Sequence, residues 1–226
     1  MVAVVFVIMW KVVPKLIGIF AEFGEMPRPT LILIAMSDFV QVYWYLFIFA
    51  PIVIVFALKA WRSTETGKYY SDLILLRAPA LGSLVQKVVL SKFSRLLSNL
   101  LGNGVSIIES LRIISSAVGN EVYRQRIMLL RDDVSRGVKM AESLENDPLF
   151  PEMLVQMIKV GEETAQLDSI VVKVAEFYDE EVDTAVSTIN KVLEPIIIIT
   201  MAVVVGFIAY AVMTPIMQLS DVIGSV

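Results

Sequence analysis

A chain of 226 residues with neither cysteine nor histidine can form no disulfide, present no thiol nucleophile or imidazole base, and build few zinc sites. Its net charge of −4 gives no reason to expect nucleic acid. A mean hydropathy of +0.73 beside 19% charged residues requires that apolar and charged residues be segregated, and they are: residues 62–194 hold nearly all the charges, whereas 39–58 and 195–217 hold none.

The chain opens on VAVVFVIMW, Lys11 and VVPKLIGIF. The apolar run before Lys11 is short for a bilayer crossing, follows no basic region and precedes no small-residue cleavage site. Residues 1–13 are therefore expected to be the tail of a transmembrane helix that begins upstream, with a preceding part of the protein missing. In residues 14–38, Leu16, Ile17, Ile19, Phe20 and Phe23 recur at helical spacing, Gly24 and the prolines of MPRPT stop that helix, and Thr30 is placed to cap the next. Residues 39–61 form the next span, with Tyr43, Trp44, Tyr45 and Trp61 at its two interfaces and a kink expected at Pro51.

Residues 63–83 read as a linker containing Gly67, Pro79 and Gly82. Gly67-Lys68 is no phosphate loop: Arg62 stands where the first glycine is required, and Tyr69 where a serine or threonine must hold the metal. Leu84 to Leu101 then carries an apolar face at three- and four-residue steps and ends at Gly102-Asn103-Gly104. Ser106 and Glu109 have the spacing of a reciprocal capping box, and Ile107, Ile108, Leu111, Ile114 and Val118 supply the buried face behind it.

Gly119-Asn120 separates that helix from Glu121–Arg136, whose charges (Arg124, Arg126, Arg131, Asp132, Asp133) read as a solvated face. Gly137 ends it, a short helix runs through Met140 and Leu144, and Phe150-Pro151 opens another with proline at the first helical position and Met153, Leu154, Met157 and Ile158 inward. After Gly161 a long helix carries Leu167, Ile170, Val171, Val174, Tyr178 and Val182 and continues into PIIIITMAVVVGFIAYAVMTPIM. Residues 195–218 are apolar on every side, as a transmembrane helix must be, leaving 219–226 as a short tail. With no strand pattern anywhere, the expected fold is all-α: a membrane protein with one antiparallel bundle of about six helices, residues 62–194, between its spans. Lys59, Arg62, Lys68 and Lys191 flank that bundle and no basic residue follows Met217, which places the bundle in the cytoplasm.

The order and spacing of Phe93, Arg95, Leu97, Leu100 and Gly104, of Ser106-Ile-Ile-Glu109, Gly119-Asn120, Gly137, Phe150-Pro151, of Gly161-Glu162-x-Thr164-x-x-Leu167-Asp168 and of Glu194-Pro195 resemble the second half of the type II secretion F family. VVPK and MPRPT resemble the same family's first periplasmic segment, so the resemblance covers essentially the whole chain. It implies a multi-pass protein of the bacterial inner membrane whose bundle is cytoplasmic, with residues 14–38 and 219–226 periplasmic. It also implies a second copy of the bundle that this chain lacks. The implied role is non-enzymatic and needs no cofactor: a platform for type II secretion or type IV pilus assembly that couples a cytoplasmic ATPase to pilin or pseudopilin assembly, alongside other inner-membrane assembly proteins and further copies of itself. Ala165 departs from the family's usual glycine, which costs on the order of 1 kcal/mol if the backbone there is left-handed.

The resemblance links acidic residues at motif positions in the first copy of this domain to calcium, which makes Glu109, Glu162 and Asp168 candidate oxygen ligands. Local roles account for each: the capping box for Glu109, an inter-helix turn for Glu162 and Asp168. Glu176, Asp179, Glu180, Glu181 and Asp183 read as a solvated face rather than an ATPase-docking surface. A small transporter is the rival reading, but only Gln41, Thr200, Tyr210 and Thr214 offer polar groups within the spans. A membrane-bound enzyme would have to work through carboxylates, and no converging pair is evident.

Overall fold

The structure, a computed structural model, describes residues 10–11, 13–14, 28–79 and 81–223. It is helical, with no strand among the described residues: α1 Arg28–Val42, α2 Trp44–Arg62, α3 Glu65–Arg77, α4 Leu81–Gly102, α5 Ile107–Ala117, α6 Glu121–Ser135, α7 Met140–Leu144, α8 Glu152–Glu163 and α9 Leu167–Ile223. Most of the helix tail expected over residues 1–13, the apolar positions Leu16 to Phe23 of the helix expected next and residues 224–226 of the tail lie outside the described residues. Among the described residues two helices, α2 and α9, are long and apolar enough to cross a membrane. Helices α3 and α4 together also pass on composition as a span bent by 113°, but α4 buries Val89, Leu90, Phe93 and Leu97 in a protein core and so has no lipid face to offer along that side.

The chain divides into two units, residues 1–57 with 191–226, and residues 58–190. In the first, Val13, Leu33 and Ala211 form a small buried cluster with Val40, Phe207 and Ile208 packed around it. Pro215 has no amide hydrogen, so the carbonyl four residues earlier, at Ala211, loses its helical donor. Thr30, buried in the first turn of α1, donates its hydroxyl to that carbonyl at 2.8 Å. Thr30 is therefore not a helix cap: α1 already starts at Arg28, and the hydroxyl satisfies a neighbour that no water reaches in hydrocarbon. The apolar segment expected from Phe39 onward is also divided, because the chain breaks at Tyr43, leaving Phe39–Val42 in α1 while α2 runs through Pro51.

The second unit is a helical bundle in which each helix from α3 to α8 packs on the next available neighbour and α3 also packs on α6. Its core gathers Leu90, Phe93 and Leu97 from α4, Leu111 and Ile114 from α5, Tyr123, Ile127 and Leu130 from α6, Leu154 and Ile158 from α8, and Val171, Val174 and Tyr178 from α9. Each large aliphatic side chain buried there contributes about 1.5–3 kcal/mol. Two residues expected inward are not: Ile108 and Met153 lie on the outer edges of their helices' apolar arcs and are exposed.

Residues 63–83, read as a linker, instead contain α3. Thr64 caps it, accepting from the Gly67 amide at 3.1 Å, and no apolar stripe announces it because its buried positions are Gly67 and Asp72. Only glycine fits at 67: a Cβ there would lie 2.0 Å from the Trp61 carbonyl oxygen. The capping box is half made. Ser106 accepts from the Glu109 amide, but the Glu109 carboxylate turns to Arg112 instead of back to the serine. Pro151 occupies the N-cap rather than the first helical position, with Glu152 opening α8. Ala165 does adopt a left-handed backbone, φ +55°, so the cost of about 1 kcal/mol relative to glycine is borne at that turn.

Candidate functional site

The motif residues Phe93 and Phe150 meet at the loop between α7 and α8. Phe150 packs edge-on against Phe93 of α4 and Tyr123 of α6, with ring centroids 5.7 and 5.6 Å apart. The Tyr123 hydroxyl donates to the Leu149 carbonyl at 2.6 Å, and Gln86 donates to the same oxygen at 3.2 Å. Burial holds the Tyr123 hydroxyl above its ordinary pKa and pushes that of Tyr178 up to about 12, so both remain donors in the physiological range. On the other side of the loop, Arg126 donates to the Asp147 carboxylate and to the Ser143 carbonyl. Asp147 in turn accepts from the Leu149 amide at 2.9 Å, just after Asn146 in a left-handed conformation. Arg126 is thus no part of a solvated face; its side chain is 18% exposed and that of Asp147 12%.

Glu162 stands beside this loop. Its carboxylate accepts from the amides of Met140 at 2.7 Å and Ala141 at 3.1 Å, the opening amides of α7, where Lys139 provides no side-chain cap. A carboxylate from α8 therefore caps a helix to which it is not sequentially joined. Gly161 is its necessary neighbour, since a Cβ there would approach the Leu167 Cα to 3.0 Å and separate α8 from α9. Thr164 closes α8 by donating to the Val160 carbonyl at 2.8 Å, Leu167 is buried, and Asp168 is exposed in the first turn of α9.

The other motif residues are placed separately. Gly104 and Gly119 have φ of +76° and +82°, values that glycine adopts without strain. Asn120 caps α6 by accepting from the amides of Val122 at 3.0 Å and Tyr123 at 3.2 Å. Arg95 pairs with Asp179, which also accepts from Ser91 at 2.5 Å, and Lys87 pairs with Glu181 at 2.6 Å. Two members of the acidic run on α9 are thus fastened to α4 rather than solvated, whereas Glu176, Glu180 and Asp183 are exposed. Glu109 is an exposed partner of Arg112, whose hydrogen bond holds the carboxyl below its ordinary value. Glu194 and Pro195 are exposed within α9. Among the described residues no group of three His, Cys, Asp or Glu side chains is arranged to hold a metal ion.

Two buried acids escape the sequence. Asp72 of α3 donates no charge to solvent: it pairs with Arg62 at 2.6 Å and accepts from the Glu121 amide at 2.8 Å, completing the cap of α6 that Asn120 begins. Glu121, 3% exposed, is held by Lys68 at 3.3 Å and Arg124 at 2.8 Å. Burial pushes the Glu121 carboxyl up, but hydrogen bonds from Arg124, Lys68 and Gln125 and the charge of Arg124 outweigh it and hold it below its ordinary 4.5. A depressed carboxyl stabilises the fold above the unfolded value and loses that contribution as pH falls through the folded one. Protection of the amides at the start of α6, corrected for the intrinsic pH dependence of exchange, should therefore be flat near neutrality and fall below pH 4.5, and Glu121→Gln should remove the acid-dependent part.

An open cleft of about 620 Å³ lies along α7, the 145–151 loop and α8. Phe150, Pro151 and Val155 supply its apolar wall, Glu142, Glu145, Glu152 and Glu163 its acidic margin, and Lys139 and Lys159 two cations. Such a lining suits non-covalent contact with a polypeptide.

Residues 93–215 match the type II secretion system (T2SS) protein F family. The chain belongs to that family. The matched region runs from the core residue Phe93 through the bundle into α9, while Arg62, Lys68 and Asp72 lie upstream of it. Among curated relatives, the chain is 33% identical over 215 residues to type IV pilus assembly protein TapC of Aeromonas hydrophila, covering 94% of this chain and 52% of the relative. It is 33% identical over 222 residues to type IV pilus assembly protein PilC of Pseudomonas aeruginosa, covering 96% and 59%. With type II secretion system protein F of A. hydrophila the identity is 29% over 223 residues, covering 98% and 58%. The chain spans about half the length of these relatives.

Proposed function

We propose that this protein F family chain is part of the inner-membrane platform of a type II secretion or type IV pilus machine, with residues 58–190 in the cytoplasm. The match over residues 93–215 carries the reading, because it takes in both the braced bundle and the apolar part of α9. The cations Lys59 and Arg62 in the last turn of α2 and Lys68 in α3 support the cytoplasmic placement. The proposed role is a scaffold: the bundle seats a cytoplasmic assembly ATPase, and the spans contact pilins or pseudopilins and other inner-membrane assembly proteins. Ala202, Gly206 and Ala209 recur at three- and four-residue steps on α9, exposed, and a Cβ at Gly206 would meet no other part of the protein within 4 Å, a surface that a second copy's helix can approach closely.

Deleting the gene should abolish surface pili or the release of secreted enzymes, and the gene supplied in trans should restore it. The 226-residue chain alone should not, because the half of the relatives that it does not match is proposed to carry a second bundle. Unchanged piliation and secretion in the deletion strain would refute the assignment, and full restoration by this chain alone would show that one bundle suffices.

A further inference from the structure

Helix α3 packs Leu76 against the bundle core but turns other apolar side chains outward. Its fully buried positions hold Gly67 and Asp72, while Tyr70 and Ile74 are 53% and 62% exposed. In a water-facing helix the polar residues would occupy the outer face. The inversion coincides with its place in the chain. Only Ser63 and Thr64 separate α3 from the last residue of α2, and the turn is tightly closed: the Ser63 amide donates to the Lys59 carbonyl at 3.0 Å, the Thr64 hydroxyl donates to the Trp61 carbonyl at 2.8 Å, and Arg62 pairs with Asp72. These contacts all lie within the bundle unit, which begins at Leu58. They hold α3 against the final turn of a helix able to cross a membrane, at the depth where that helix meets the headgroups. Trp61 on that turn and Leu81 at the start of α4 are exposed as well, at 46% and 47%. Lys59 and Arg77 add exposed cations at the two ends of the segment.

We propose that α3 is an interfacial helix, resting on the bilayer leaflet at which α2 ends, with Tyr70 and Ile74 at the boundary of headgroups and acyl chains and Lys59 and Arg77 over lipid phosphates. An apolar face flanked by cations is what binds a helix in the plane of an anionic membrane. Trp61 and Tyr70 are the aromatic types that accumulate at this depth, apolar in the ring and polar at the edge. Asp72, charged and on the opposite side, is shielded from the lipid by its pairing with Arg62 and the Glu121 amide.

The chain has no cysteine, so Ile74→Cys gives a single labelling site on the full protein. A polarity-sensitive fluorophore there, after reconstitution in phosphatidylethanolamine vesicles containing phosphatidylglycerol, should emit to the blue of the same fluorophore at Arg112→Cys, on an exposed position of α5. It should be quenched several-fold more strongly by lipids brominated near the headgroup and several-fold less by aqueous iodide. A label at Tyr70→Cys should behave like that at 74. Equal iodide access at 74 and 112 would overturn the proposal. So would shielding from iodide without quenching by brominated lipid, which would mean that protein covers the face.

Discussion

Replacing Arg126 with alanine should destabilise the bundle by about 3 kcal/mol, the usual scale for breaking a largely buried ion pair from one side. The guanidinium joins α6 to the Ser143 carbonyl and to Asp147, and both members of the pair are mostly shielded from water. Its removal strands a carboxylate beside an apolar loop. Asp147→Asn should cost less, because the side chain can still accept from the Leu149 amide and from Arg126, whose guanidinium also keeps the Ser143 carbonyl. For a domain of this size, 3 kcal/mol corresponds to a fall in Tm of roughly 10 °C. Thermal unfolding of the purified chain in mild detergent, followed by far-ultraviolet circular dichroism, measures it; a shift within the error of wild type would show that the pair contributes nothing.

Glu162→Ala should cost about 2 kcal/mol, since it removes one carboxylate from two amide donors at once. The loss should be local before it is global. Hydrogen exchange at Met140 and Ala141 should rise first, Glu162→Gln should fall between alanine and wild type, and Asp168→Ala, at an exposed position, should leave both amides unchanged. Loss of partner binding in Glu162→Ala with exchange and Tm unchanged would make the residue a contact rather than a cap.

The core is legible in sequence wherever one helix face carries large aliphatic side chains at three- and four-residue steps. Leu111, Ile114 and Val118 on α5 and Val171, Val174 and Tyr178 on α9 are all buried as that spacing requires. The order of glycines and caps is legible too, because Gly119 and Asn120 act on the backbone within a few residues of themselves. Legibility fails in two ways. Helix α3 is hidden because periodicity looks for apolar residues inside, and this helix turns glycine and aspartate inward. Arg126 is hidden among the charges of α6 because its partner lies 21 residues away, brought back by a loop whose left-handed Asn146 no pairwise spacing reveals. Asp72 combines both obstacles, being an acid in a segment without apolar rhythm that meets an amide 49 residues later. In each case the sequence shows the residue, while the energetic reason for it belongs to a partner chosen by the tertiary fold.

The hydrogen bond from Thr30 to the Ala211 carbonyl joins positions 181 residues apart, with the whole bundle between them. Translation delivers α1 to the membrane long before residue 211 exists. At about 5–20 residues per second the interval is roughly 10–40 seconds, ample for residues 58–190 to fold first. The first unit is therefore completed last, when the end of α9 arrives and the Ala211 carbonyl meets the waiting hydroxyl. A nascent chain arrested earlier carries a finished bundle on an open pair of membrane segments, with the side of α1 bearing Thr30, Leu33 and Ser37 turned to lipid.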